Sequence, residues 1–430
     1  MSADENLFVF WDGYTEPVGY LAYARKGRVK FRYAGEWLQK YGKSISLRLP
    51  CSQAEFTPRE STDFFENLLP EDRIYESLCR KYHIDEDDIF KFLSIFGREC
   101  AGALSVAGSL ERGYSEPPYR DITETLIAHL EEPSPQTSLI EGLEAKLSLA
   151  GAQNKLAVHL ENGRFLVPND GSPAPTTAIL KSVSPWFRNL HRNEHFCMSL
   201  ARAVGLKVPG TRILTLGKQE AYLIERYDRV FRDGRIVRLH QEDFCQALGY
   251  RRLNKYQGDQ GPDFAKCNEL LMRPVFGDSL PARREFTRCA IFNYLIGNCD
   301  AHAKNFSILY QLDGRVVLAP FYDLVSSTIY EGLSKHMSMF VGGTANFYHI
   351  KGEAWKRFSS DLRFRPEFIA GLMADLIEDV RRRQDDIFTE HARHLGDCPD
   401  YPVLRRVLAD NTKKLEEAAE YLASKPKAGF

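Results

Sequence analysis

The period of apolar positions changes several times along the chain. In LFVFW (7–11), VGYLAYA (18–24) and RVKFRYA (28–34) aromatic and β-branched residues dominate, and Gly, Pro and Asn punctuate the ends. That pattern predicts strands. From about residue 60 the apolar spacing becomes three and four, so FFENLLP (64–70), YESLCRKYHI (75–84) and DDIFKFLSIFGRECAGAL (87–104) read as helices. The stretch 112–137, with YSEPPYR and EEPSPQ, is polar and proline-rich and reads as a linker. A second β-rich region follows. QNKLAVHL (153–160), ENGR (161–164) and FLVP (165–168) predict a hairpin with an Asn-Gly turn. TTAILK (176–181) and EAYLIERYDR (220–229) are further short apolar runs, and HRNEHFCMSLARAVGL (191–206) between them reads as an amphipathic helix with a glycine stop. Beyond His240 the pattern is helical at 242–250, 281–298, 366–383 and 411–424, interrupted by NFSILYQLDGRVVLAPFYD (305–323), a hairpin turning at Asp313-Gly314.

A small β lobe followed by a larger helical lobe, joined near residue 228, predicts a two-lobed α+β fold of the protein kinase-like kind. Three parts are expected: an N-terminal subdomain (1–110), a β-rich lobe (111–228) and a helical lobe (229–430). A length of 430 residues suits two or three domains. With 43% hydrophobic and 27% charged residues the chain is neither disordered nor fibrous. Its 57 basic and 58 acidic side chains leave a net charge of -1, which gives no support to general nucleic-acid binding. The nine cysteines form no CxxC pair, and a chain this long needs no disulfide staples, so a reducing cytoplasm is expected. MSADENLFVF shows no basic, then apolar, leader pattern, and no apolar run approaches the roughly 20 residues that cross a bilayer. No membrane association is expected.

Candidate chemistry concentrates in NYLIGNCDAHAKNFSILY (293–310). A helix ends at Gly297, and a polar turn follows with Asp300, His302, Lys304 and Asn305. The hairpin after it ends in PFYDLVSS (320–327), which puts Asp323 just beyond a strand. Phosphoryl transfer needs one carboxylate to orient a hydroxyl and take its proton, and hard oxygen ligands to hold Mg²⁺. Asp300-x₄-Asn305 has the spacing of a kinase catalytic loop, and Tyr322-Asp323-Leu324 stands where a kinase carries its second magnesium-binding aspartate. Upstream, Lys181 ends an apolar run, as a phosphate-pairing lysine does. Glu194, in the next helix, is a candidate ion-pair partner for it and equally suits a first helical turn. The backbone around Glu225, Arg226 and Tyr227 fits the hinge that meets an adenine. Ala150, Gly151, Ala152 and Gln153 precede a strand and would cover phosphates, although one glycine is a weak phosphate-loop signal. His302 either contacts nucleotide or braces its own loop, and Gln241 is a further candidate for the nucleotide.

On these residues the chain resembles the HipA toxin kinases of bacterial toxin–antitoxin modules. The resemblance is carried, in the family's order, by SLAGAQNKLAV (148–158), NEHFCMSLARAVGL (193–206), LIERYDR (223–229), RLHQEDFCQALGY (238–250), IGNCDAHAKNFS (296–307) and LAPFYDL (318–324). FENLLPEDR (65–73) and FGRECAGAL (96–104) look like the family's N-terminal subdomain. The resemblance implies an ATP- and Mg²⁺-dependent serine/threonine protein kinase. It makes Asp300 the catalytic aspartate, Asn305 and Asp323 the magnesium ligands, and Lys181 the ATP-phosphate lysine. Ser148 matches a serine whose autophosphorylation ejects the adjoining loop and inactivates the enzyme. The implied substrate is an aminoacyl-tRNA synthetase, chiefly glutamyl-tRNA synthetase. The implied partner is a HipB-like helix-turn-helix antitoxin that represses the operon, with operator DNA bound mainly through it.

Two other readings compete. One is a catalytically silent kinase-like protein that only binds antitoxin and DNA, with Arg381–Arg383 and the LysProLys at 425–427 as candidate phosphate contacts. The other is a zinc metallopeptidase, because His191, Glu194 and His195 form an HxxEH pattern. It leaves the cluster at 300–323 unexplained.

Overall fold

The computed structural model describes residues 6–109, 117–131, 139–143, 154–170, 172–184 and 186–424. The chain forms two compact units. One comprises Met1–Pro185, Leu214–Arg252 and Ile308–Gly314; the other comprises Trp186–Ile213, Leu253–Ser307 and Arg315–Phe430.

In the first unit, strands Asn6–Trp11, Gly19–Tyr23 and Val29–Tyr33 form where the β-branched and aromatic runs predict them. Pairing is antiparallel, with Phe8 opposite Tyr20 and Leu21 opposite Phe31. Helix Pro58–Phe65 starts earlier than the apolar spacing suggests, because Thr57 and Glu60 close a capping box and Pro58 suits the first turn. The run 87–104 is not one helix. Helix Ile89–Phe96 stops at Gly97, and Leu104–Ala107 is a strand pairing with Phe8–Trp11. A β-carbon on Gly97 would lie 2.5 Å from the Leu93 carbonyl oxygen and 2.7 Å from Val106 Cβ. A short, wholly buried apolar run cannot be assigned from its period alone. Nor is 112–137 a plain linker. Tyr119–Asp121 pairs with Arg164–Pro168, and Thr123–Glu131 is helical.

The second sheet of this unit carries the hairpin Lys155–Glu161/Arg164–Pro168, turning at Asn162 (φ +50°) and Gly163 (φ +78°). Strand Ala178–Ser182 lies between Lys155–Glu161 and Gln219–Glu225. Leu156, Val158, Leu180 and Leu223 on these strands join the same hydrophobic core as Val9, Phe31 and Phe92. The ribbon Arg229–Arg232/Arg235–Arg238 and helix Phe244–Leu248 also belong to this unit, the helix capped by Asp243 and Gln246.

The second unit is mainly helical. Helix Leu190–Ala203 packs on the long helix Pro366–Leu395 through stacked Phe196 and Phe388, 4.2 Å apart. Helix Leu280–Ile296 ends on Gly297 (φ +71°) in a Schellman arrangement: Asn298 N–H donates to Asn293 O (2.8 Å), and Gly297 N–H donates to Tyr294 O (3.0 Å). The carbonyls of Tyr294 and Leu295 also accept from Asn411 Nδ2, on helix Tyr401–Ala423. A β-carbon at Gly297 would fall 2.2 Å from Thr328 Oγ1, so this stop tolerates no side chain. Both C-terminal helices run longer than their apolar period predicts. Among the described residues no helix is long and apolar enough to cross a membrane, and all nine cysteines are free thiols.

Candidate active site

The turn after Gly297 is built by side chains gripping backbone. Asn298, only 1% exposed, accepts from Asp300 N–H at Oδ1 (3.0 Å). Its Nδ2 donates to Asn293 Oδ1 (2.8 Å) and reaches Asp323 O at 3.4 Å. One buried amide therefore holds the backbone of both candidate aspartates. Asn305 Nδ2 donates to Asp300 O (3.0 Å), and His302 N–H donates to the same carbonyl (2.9 Å). Ser338 Oγ donates to Cys299 O (2.8 Å) and approaches Asp300 Oδ1 at 3.4 Å. Ser327 Oγ accepts from Cys299 N–H (2.8 Å). The carboxylate of Asp300 itself is on an exposed residue.

Asn298, Asn305, Tyr322 and Asp323 line one small cleft with Asn293, Ala301 and Phe321. Asp323 holds a left-handed backbone (φ +54°), uncommon for a side-chain-bearing residue and frequent at functional positions. Tyr322 OH bridges Lys304 O (2.7 Å) and Ser307 Oγ (2.8 Å), tying the second aspartate's segment to the turn. Asn305 commits its amide nitrogen to Asp300 O, which leaves its oxygen as the donor atom for an ion. An amide oxygen and a carboxylate in one cleft fit a magnesium ion, which takes hard oxygen ligands and keeps several waters. The buried His302 meets the ring of Tyr256, with 5.2 Å between centroids.

In the first unit, Lys181 lies on strand Ala178–Ser182 and is 5% exposed. Its ammonium stands 5.9 Å from the Tyr222 ring. Directly opposite on the neighbouring strand is Lys155, 9% exposed, so two buried lysines share one face of the sheet. Sequence reasoning missed Lys155, although its place just after the small-residue run was a usable signal. Strand Gln219–Glu225 ends at exposed Glu225. Arg226 is turned inward: its N–H donates to Thr177 O (2.9 Å), and its guanidinium is paired with Glu99 and Asp228. Tyr227 OH donates to Gln241 Oε1. Ser148 and the run Ala150, Gly151, Ala152 and Gln153 lie outside the described residues.

Glu194, 1% exposed, sits in the first turns of helix Leu190–Ala203 in the second unit. Of the HxxEH residues, His195 is engaged with other groups. His195 Nδ1 contacts Thr211 Oγ1 (2.9 Å), and its ring stacks on His391 at 4.6 Å. Burial, and then the charges of Arg202 and His191, push its pKa down to about 4. Among the described residues no group of three His, Cys, Asp or Glu could hold a metal, so the zinc-peptidase reading lacks its ligand set.

The HipA N-terminal domain family matches residues 7–107, and the HipA-like C-terminal domain family matches residues 147–384. The Y4mE protein of Sinorhizobium fredii is 34% identical over 409 residues, covering 91% of this chain and 96% of its own. The serine/threonine-protein kinase toxin HipA of Shewanella oneidensis is 29% identical over 323 residues, 72% of each chain. A solved structure of Shewanella oneidensis HipA with HipB and its operator DNA superposes with a TM-score of 0.78 at 25% identity, covering 96% of both chains. Two family domains in order, a relative 34% identical along nearly the whole of both chains and the superposing HipA structure place this chain in the HipA family of serine/threonine-protein kinases, with that family's α+β kinase-like fold.

Proposed function

We propose that the chain is the toxin of a toxin–antitoxin module and acts as an ATP- and Mg²⁺-dependent serine protein kinase. The observation that carries this is the single amide of Asn298 binding Asp300 N–H and approaching Asp323 O. Asp300 Oδ orients the acceptor serine hydroxyl and takes its proton. Asn305 Oδ1 and the Asp323 carboxylate hold Mg²⁺, which when bound neutralises phosphate charge. Lys181 pairs with the ATP phosphates, and Lys155 shares its face of the sheet. The purine meets the backbone of Glu225 and Tyr227, while Arg226 serves as a buried anchor for that segment. The residues 150–153 cover the phosphates. His302 orders the loop. Most of the rate comes from positioning and charge stabilisation.

Regulation follows from charge. A phosphate on Ser148 adds nearly two negative charges beside a loop that must approach ATP phosphates, so autophosphorylation expels the loop. The protein substrate is an aminoacyl-tRNA synthetase, with glutamyl-tRNA synthetase the first to test, and its modification arrests translation. Shewanella HipA assembles with HipB and operator DNA. By the same logic a small helix-turn-helix antitoxin binds this chain and carries most of the DNA contact.

Incubation with γ-labelled ATP and a cell lysate, followed by mapping of labelled serines, tests the reading. Label on a lysate protein and on Ser148 is expected from the unmodified chain. Asp300→Asn and Asp323→Asn should lose all transfer while melting within a few degrees of it. Equal labelling or equal growth inhibition by these variants would refute the assignment.

A further inference from the structure

A buried charge cluster of the first unit surrounds the turn after strand Gln219–Glu225. Glu99 follows helix Ile89–Phe96 of the N-terminal subdomain and is 2% exposed. Its Oε1 accepts from Arg226 Nη1 (2.8 Å), Arg229 Nη2 (2.7 Å) and Thr176 Oγ1 (2.9 Å). Its Oε2 lies 3.1 Å from Arg238 Nη1. Asp228 Oδ2 closes the cluster on Arg226 Nη2 (2.8 Å), Arg229 Nη1 (2.8 Å) and Gly102 N–H (2.8 Å). The three guanidinium and two carboxylate side chains are each no more than 4% exposed. Burial works against the Glu99 charge, yet the guanidiniums of Arg238, Arg229 and Arg226 hold its carboxyl below the ordinary range.

The segment this carboxylate grips is the turn that follows strand Gln219–Glu225. Arg229 N–H donates to Arg226 O (3.3 Å), closing residues 226–229, and Arg226 N–H donates to Thr177 O (2.9 Å). Arg226 and Arg229 therefore bracket Tyr227, and both are bound to one oxygen. Thr176, on that same oxygen, leads directly into strand Ala178–Ser182, which bears Lys181. Arg226, Arg229 and Arg238 make further bonds to the carbonyls of Cys100, Gly102 and Leu104, which belong to the N-terminal subdomain.

We propose that Glu99 is a positioning residue for nucleotide binding: it fixes the 226–229 turn through Arg226 and Arg229, so that the backbone of Glu225 and Tyr227 meets the purine. This rests on reading 225–227 as the nucleotide hinge. It gives the N-terminal subdomain a task in catalysis, because a side chain outside the β-rich lobe sets the geometry of the base site. Lys181 and Lys155 are set opposite each other by the pairing of strands Lys155–Glu161 and Ala178–Ser182, so the effect falls chiefly at the purine end.

The test uses the full chain carrying Glu99→Gln, and a second variant, Glu99→Gln with Arg229→Gln. In the unmodified cluster three arginines against two acids give +1. The double variant leaves two arginines and one acid, again +1, so no extra buried charge is exposed. Binding of Mg·ATP is compared with binding of inorganic tripolyphosphate, which has no base, and hydrogen exchange is followed over 222–229. Expected is an approximately tenfold loss of ATP affinity with tripolyphosphate affinity unchanged and transfer at saturating ATP within about twofold. Exchange over 225–229 should quicken in the ATP-free variants. Unchanged ATP affinity in a folded variant overturns the proposal, and so does an equal loss for both ligands. Failure of both variants to fold shows a structural role alone and also overturns it. If ATP fails to protect 225–227 in the unmodified chain while phosphate is still transferred, the hinge reading falls and takes this proposal with it. If that protection is present and Glu99→Gln binds ATP normally, only the role of Glu99 is lost.

Discussion

Replacing Asn298 with alanine separates the support of the catalytic turn from its chemistry. Truncation removes the bonds to Asp300 N–H (3.0 Å) and Asn293 Oδ1 (2.8 Å) and the longer approach to Asp323 O (3.4 Å). Asn293 is 2% exposed, so its oxygen loses a donor that water cannot replace. Two such bonds, one leaving a buried acceptor unsatisfied, are worth about 2–4 kcal/mol together. For a unit of this size that lowers the melting temperature by roughly 5–15 °C. Freed of its amide anchor, Asp300 drifts, and a displacement of about 1 Å costs a factor of about 100 in rate. Asn268→Ala is the matched control. Asn268 is fully buried in the same unit, accepts from Arg283 Nε (2.8 Å) and donates to Leu362 O (3.1 Å). It has no contact with the turn among these bonds. Both variants should lose similar stability by calorimetry. Only Asn298→Ala should lose transfer of labelled phosphate, measured well below either melting point. If the two variants transfer phosphate within threefold of each other, Asn298 is a structural residue only and the central geometric argument fails.

Two pH effects follow from buried groups. Glu242 is fully buried; burial raises its pKa to about 7, against the opposing bonds from Ser46, Tyr310 and Leu47 N–H. A carboxyl raised above its unfolded value is favoured protonated in the fold, so this contribution is present at low pH and lost as pH rises towards and through about 7. The loss is on the order of 3 kcal/mol. Glu242→Gln, which mimics the protonated carboxyl, should flatten denaturant stability between pH 5 and 8 (~3 pH units); an unchanged slope would count against the raised value. His391 works in the opposite sense. Burial first, then His195 and His394, lower its pKa to about 3. Its stability contribution is present above the unfolded histidine value of about 6.5 and is lost as pH falls towards the folded value. His391→Asn should melt with a shallower decline on acidification than the unmodified chain, and an equally steep decline would exclude the buried His195–His391 stack as its source.

Much of the candidate site is named from the sequence alone because phosphoryl-transfer chemistry needs particular side chains at short spacings. Asp300, His302 and Asn305 lie within one turn of chain, and Gly297 announces where the helix before them must stop. The Asn162-Gly163 turn is local too, since its geometry is decided by adjacent residues. The errors also share a cause. Leu104–Ala107 is buried at every position, Ser105 included, so no apolar–polar alternation marked it as a strand. The polar run near 119 becomes a strand only because Arg164–Pro168 offers it an edge.

What the sequence by itself determined is therefore the inventory of reactive groups, their family and the local elements that carry them. Only the tertiary structure decided how those groups are held. Asn298 looked like one more polar turn residue until its amide was seen to bind Asp300 and approach Asp323, 25 positions further on. Lys155 gained meaning only when strand pairing set it opposite Lys181. The sequence placed Arg226 in the hinge segment by its backbone and gave no sign that its side chain pairs with Glu99, 127 positions away. Partners distant in sequence leave no trace in a local pattern. Their proximity comes from burying apolar strands and helices together, and a buried charge or amide must then take whatever partner that packing supplies.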